Sequence, residues 1–94
     1  MSADGERLTA KATIINKKGL HARASAKIVE AASRFQSQIT VTKDGQSVDA
    51  RSIMGLMMLA ASMGSEIVIE ARGADADDAM RAMLALVEAK FGEE

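Results

Sequence analysis

The 94-residue chain, with 12 basic and 13 acidic residues and a net charge of −1, reads as a single small domain over residues 1–94 with no clustered positive charge for gripping nucleic acid. It has no cysteine and one histidine, which argues against a disulfide framework, a cysteine-held iron–sulfur cluster, a thiolate nucleophile or a multi-histidine zinc site, so no metal and no cofactor is expected. Two phenylalanines are too few for base stacking, and the lack of a basic-then-apolar leader or of an apolar run approaching about 18 residues predicts a cytoplasmic protein whose partners are proteins, not membranes.

Residues 1–6 are polar and predicted to fray. Leu8, Ala10, Ala12 and Ile14 then alternate with Thr9, Lys11 and Thr13 at the period of a half-buried strand. Asn16-Lys17-Lys18-Gly19 breaks that pattern, and Ala22 to Phe35 carries Ala22, Ala26, Ile28, Val29, Ala32 and Phe35 at helical spacing, predicting a helix of about three to four turns. Ile39 and Val41 alternate with Thr40 and Thr42, Asp44-Gly45 signals a tight hairpin, and Val48 continues beyond it. Ser52 is placed to cap a second helix over the apolar run Ile53 to Ala61, with Gly64 ending it. Ile67, Ile69 and Ala71 predict a fourth strand closed by Gly73. Asp75 with Asp78 resembles an acidic capping box, followed by the stripe Ala76, Ala79, Met83, Leu86 and Val87. The order βαββαβα predicts an α+β fold of two layers: a mostly antiparallel four-stranded sheet with three helices on one face.

Two places carry chemistry. His21 lies where a loop enters a helix with Arg23 close behind, and the free amides and dipole of a helix start favour an anion there. The same field disfavours imidazolium, which leaves a ring nitrogen free to attack phosphorus. Seven methionines crowd the chain, four of them (Met54, Met57, Met58, Met63) in or just after the second helical run, too many for one face to bury. Leu56, Leu59 and Ala60 suffice for the core, leaving Ile53, Met54 and Met57 as an exposed, adaptable patch. The cluster Asp75, Asp77 and Asp78 lacks the glycine and closing glutamate of a calcium loop and reads as helix caps.

Gly-Leu-His-Ala-Arg at 19–23 and Arg-Ser-Ile-Met-Gly-Leu-Met at 51–57, each opening a helix, together resemble HPr, the phosphocarrier family of the bacterial phosphotransferase system. The element order, the Asp-Gly hairpin and the Gly-Ala-Asp before the last helix extend the resemblance over nearly the whole chain and imply that family's open-faced β-sandwich. It implies a relay in which enzyme I passes a phosphoryl group to Nδ1 of His21, Arg23 steadies it, and a histidine of an enzyme IIA domain receives it. Such a protein transfers phosphate stoichiometrically and is not a stand-alone catalyst. Ser52 matches the serine modified by HPr kinase/phosphorylase, and Ile53, Met54 and Met57 match the family's apolar contact residues.

The pattern departs from sugar-transport members at Ala24 and Ser25, where Pro-Ala is common, and at Glu30 and Ser33, which are often basic. His-Ala-Arg-Ala-Ser is similar to a nitrogen-related branch, so the receiving IIA domain is either sugar-specific or nitrogen-regulatory. A non-transferring regulator that binds its partner according to phosphorylation at Ser52 is the alternative, and a monomer is the default state.

Overall fold

A computed structural model describes residues 6–93. Its elements are β1 (Glu6–Thr13), α1 (Ala22–Ala32), β2 (Gln38–Lys43), β3 (Gln46–Asp49), α2 (Ile53–Met58), β4 (Glu66–Gly73) and α3 (Ala76–Glu88), followed by a short 3₁₀ turn, Lys90–Gly92. Of the segment predicted to fray, residues 1–5 lie outside the described residues, while Glu6 opens β1 opposite Gly73.

The strands lie in the order β1-β4-β2-β3, and every neighbouring pair is antiparallel. Register follows from alternation: Leu8, Ala71 and Ile39 form one row across the sheet, and Ala10, Ile69 and Val41 the next. These side chains join the core or pack against it, while the alternate residues Thr9, Glu70 and Thr40 form a polar row on the other face. The helices cover the apolar face: α3 packs on β1 and β4, α2 meets β3, and α1 packs on α2 and α3. Lys43 pairs with Gln46 across Asp44-Gly45, and positive φ at both central residues, 51° and 81°, makes this the type I′ turn that a two-residue hairpin favours.

Four expectations about the helices are corrected. The buried side of α1 is Ala24, Ser25, Ile28, Ala31 and Ala32, and Ala22 and Ala26 are exposed. Five alanines make several faces of this segment look apolar, and the face that wins is the one three and four residues either side of Ile28. α1 also ends at Ala32, because Arg34 N–H and Phe35 N–H donate to carbonyls three residues back, at 3.1 and 3.2 Å, and tighten the chain into a turn. α2 stops at Met58, since Ala60 adopts a left-handed φ of 53°; Ala60 is thereby exposed and Ala61 takes the core position.

Asp75 is the fourth correction. It precedes α3 but makes no side-chain cap bond to it. Its carboxylate reaches instead to the α1–β2 loop, accepting from Gln36 N at 2.9 Å, from Ser37 N at 2.8 Å and from the Ser37 hydroxyl. The Ser37 hydroxyl first, then the Gln36 amide, hold the Asp75 carboxyl below its ordinary value of 3.8. On α3 the buried stripe is Ala76, Ala79, Met80, Met83 and Val87, with Leu86 half-buried beside it.

Candidate phosphoryl-transfer site

The loop before α1 is fixed by a close approach to the end of α2. Gly19 is buried with φ +64°, and a Cβ there would lie 2.3 Å from the Ala61 carbonyl oxygen. Next to it, Leu20 N–H donates to that oxygen at 2.8 Å, so the backbone runs against α2 and delivers the following residue to the start of α1.

That residue, His21, is the N-cap of α1, with extended backbone (φ −78°, ψ −177°) and its carbonyl accepting from Ser25 N at 2.9 Å. Nδ1 accepts from the backbone N–H of Arg23 at 3.2 Å, so an imidazole nitrogen satisfies an amide that a serine or aspartate cap would otherwise hold. An N–H aimed at Nδ1 means that Nδ1 carries a lone pair and the ring proton sits on Nε2. Nε2–H in turn donates to the carboxylate of Glu93 at 2.5 Å. The ring is about one quarter exposed. Arg23 is exposed, and among the described residues its guanidinium makes no hydrogen bond or ion pair, which leaves it open to an incoming anion.

Glu93 and Asn16 escaped the sequence reading. Asn16 is almost wholly buried, and its Nδ2 donates to Gly19 O at 2.9 Å and to Glu93 Oε2 at 3.2 Å. The tail reaches this place because Lys90 and Phe91 take left-handed φ values of 56° and 55°, turning the chain back so that Phe91 enters the core. Two such residues cost on the order of 1–2 kcal/mol each, a strain offset by burial of one phenyl ring, worth about 1.5–3 kcal/mol, and by Lys27 Nζ donating to Phe91 O at 2.7 Å. The His21 hydrogen bond, and beyond it Asn16 and the charge of Lys18, hold the Glu93 carboxyl below its ordinary value of 4.5. No local pattern marks Glu93, since it meets a residue 72 positions away.

Ser52 caps α2 as the spacing requires, its Oγ accepting from Gly55 N at 2.9 Å. It sits at the end of α2 away from the Gly19–Leu20 contact. Ile53, Met54 and Met57 are exposed, Met54 by 70%, and Met58, Met63 and Ile15 are exposed as well. Packing of α1 on α2 brings the two motifs into one helical layer.

The family model described as "PTS HPr component phosphorylation site" matches residues 8–89. The chain belongs to the HPr family. It is 56% identical over 81 residues to a phosphocarrier protein HPr of Cupriavidus necator, covering 86% of this chain and 91% of the relative. It is 45% identical over 87 residues to a phosphocarrier protein NPr of Shewanella violacea, covering 93% and 96%. Its fold is similar to a crystal structure of HPr from Thermoanaerobacter tengcongensis, with a TM-score of 0.89, 47% identity and coverage of 93% of this chain and 98% of that one. As an HPr-family phosphocarrier of the phosphotransferase system, the protein has the open four-stranded antiparallel sheet and three helices anticipated from its sequence. No helix among the described residues is long and apolar enough to cross a membrane.

Proposed function

We propose that His21 Nδ1 is the atom that carries the phosphoryl group. The observation behind this reading is the pair of hydrogen bonds on the ring, Arg23 N–H to Nδ1 and Nε2–H to Glu93. The donor is the phosphohistidine of enzyme I, itself charged by phosphoenolpyruvate. The Nδ1 lone pair forms the new N–P bond as the donor's N–P bond breaks, and the electron pair of the broken bond returns to the donor imidazole. Neutral imidazole supplies its own lone pair, so no general base is needed and the protein's task is positioning and anion stabilisation. Arg23 N–H must leave Nδ1 as the bond forms, and it is then placed, with the guanidinium, to hold a phosphoryl oxygen. Transfer onward to a histidine of an enzyme IIA domain is the same step reversed.

The exposed patch of Ile53, Met54 and Met57 serves as the docking surface for both partners. Phosphorylation of Ser52 by HPr kinase/phosphorylase would set about two negative charges beside that patch and weaken docking of enzyme I. Relatives named HPr and NPr match the chain at 56% and 45% identity, so the receiving domain is either sugar-specific or nitrogen-regulatory, and we place the protein in the cytoplasm as a single-domain monomer.

The test is incubation with phosphoenolpyruvate, magnesium and each enzyme I of the same cell. The wild type gains one acid-labile phosphate and His21→Ala gains none while keeping its fold. Retained acceptance in His21→Ala overturns the assignment of His21. No gain by the wild type, with acid-stable labelling from ATP at Ser52, favours the regulator reading instead.

A further inference from the structure

The Nε2 side of His21 is built more carefully than a spectator nitrogen requires. Its acceptor, Glu93, is held at Oε2 by the buried Asn16 amide, which is itself oriented by the carbonyl of Gly19. The tail that brings Glu93 is pinned by a buried phenyl ring, a lysine bond to the Phe91 carbonyl, and two residues in a backbone conformation that only surrounding packing sustains. Lys17 and Lys18 from the loop and Lys90 from the 3₁₀ turn line one hollow with Ile15 and Glu93, so cationic side chains share that hollow with the carboxylate.

Resting on the reading of His21 as the carrier, we propose that Glu93 is the positioning residue of the transfer: its carboxylate keeps the proton on Nε2 throughout, so that phosphate enters and leaves at Nδ1 of a ring protonated on the other side. The chemistry explains why this matters. Attack by Nδ1 on phosphorus leaves the ring with an N–P bond, an N–H bond and a positive charge, and a carboxylate at hydrogen-bond distance from that N–H stabilises it. When the phosphoryl group departs, the N–P electron pair returns to Nδ1 and the ring is neutral again with the same proton on Nε2; no proton enters or leaves. Had the ring lost that proton, it would depart as an imidazolate, a far poorer leaving group. Because Arg23 N–H gives up Nδ1 during transfer, the bond to Glu93 is also the ring hydrogen bond that persists and fixes its plane.

The experiment compares full-length wild type, Glu93→Gln and Glu93→Asp. Ring ¹⁵N–¹H spectra of the unphosphorylated proteins report the Nε2 proton, and quenched-flow transfer from the phosphorylated proteins to an acceptor IIA domain reports donation. We expect Glu93→Gln to accept one acid-labile phosphate, to lose the strongly hydrogen-bonded character of the Nε2 proton and to donate about tenfold or more slowly, the scale of one charge-assisted hydrogen bond. Glu93→Asp should recover part of the rate. Donation at the wild-type rate by Glu93→Gln overturns the proposal whatever the ring proton does. Failure of the wild type itself to take up acid-labile phosphate on His21 overturns the carrier reading, and this proposal with it.

Discussion

Replacing Gly19 by alanine tests how the loop places His21. The residue would keep a left-handed φ of +64°, which costs a side chain about 1–2 kcal/mol, and its Cβ would meet two backbone atoms, Ala61 O at 2.3 Å and Ser62 Cα at 2.8 Å. Neither neighbour is a flexible side chain, so the loop must move off α2. Moving it breaks the bond from Leu20 N–H to Ala61 O, both in buried residues, and unpaired buried groups cost about 1–3 kcal/mol. Reduced freedom of the unfolded chain returns about 0.4–1 kcal/mol, for a net loss of about 2–4 kcal/mol. Gly45→Ala is the control: its φ is +81°, but nothing lies within 4 Å of its Cβ position, so the loss should stay at or below about 1 kcal/mol. In urea unfolding the Gly19 variant should lose at least about 1 kcal/mol more than the Gly45 variant at equal m, and melt about 10–20 °C below wild type. It should also accept phosphate more slowly, since the displaced loop carries His21. Equal losses in the two variants would refute the claim that close approach to α2 fixes the site.

Asp75, with its carboxyl held low by Ser37 and Gln36, contributes stability that is complete above its ordinary value of 3.8 and is lost as pH falls through the lowered folded value. Acid denaturation should therefore be shallower in Asp75→Asn, which should also have a lower urea midpoint at neutral pH; parallel pH profiles would count against the link. Leu56→Ala, at a fully buried position, should cost about 2–5 kcal/mol in urea unfolding, whereas Met54→Ala should stay within about 0.5 kcal/mol of wild type yet slow transfer from enzyme I. Ser52→Asp should keep its helical circular dichroism, because aspartate is itself a good N-cap, while transfer from enzyme I falls; unchanged transfer would argue against the serine switch.

What could be read in the sequence was whatever depends on neighbours along the chain. Alternation placed the inward rows of β1, β2 and β4, Asp44-Gly45 specified its turn, and Ser52 capped the helix it precedes, because each signal acts over a few residues. The Gly-Leu-His-Ala-Arg motif likewise put His21 at the start of α1. Competition between local and distant partners defeated the rest. Asp75 sits at an N-cap position, yet two free amides and a hydroxyl of the α1–β2 loop hold its carboxylate more strongly than α3 does. The face of α1 was ambiguous because alanine marks no side until Ile28 finds the core. Glu93 was invisible because its role depends on Phe91 folding the tail back across the molecule.

The most direct test of the account is the position of the phosphate on the ring. Protein carrying ¹⁵N-labelled histidine, phosphorylated by its enzyme I, should show ³¹P–¹⁵N coupling to Nδ1 of His21 with the proton still on Nε2. Coupling to Nε2, or phosphate on any other residue, would contradict it.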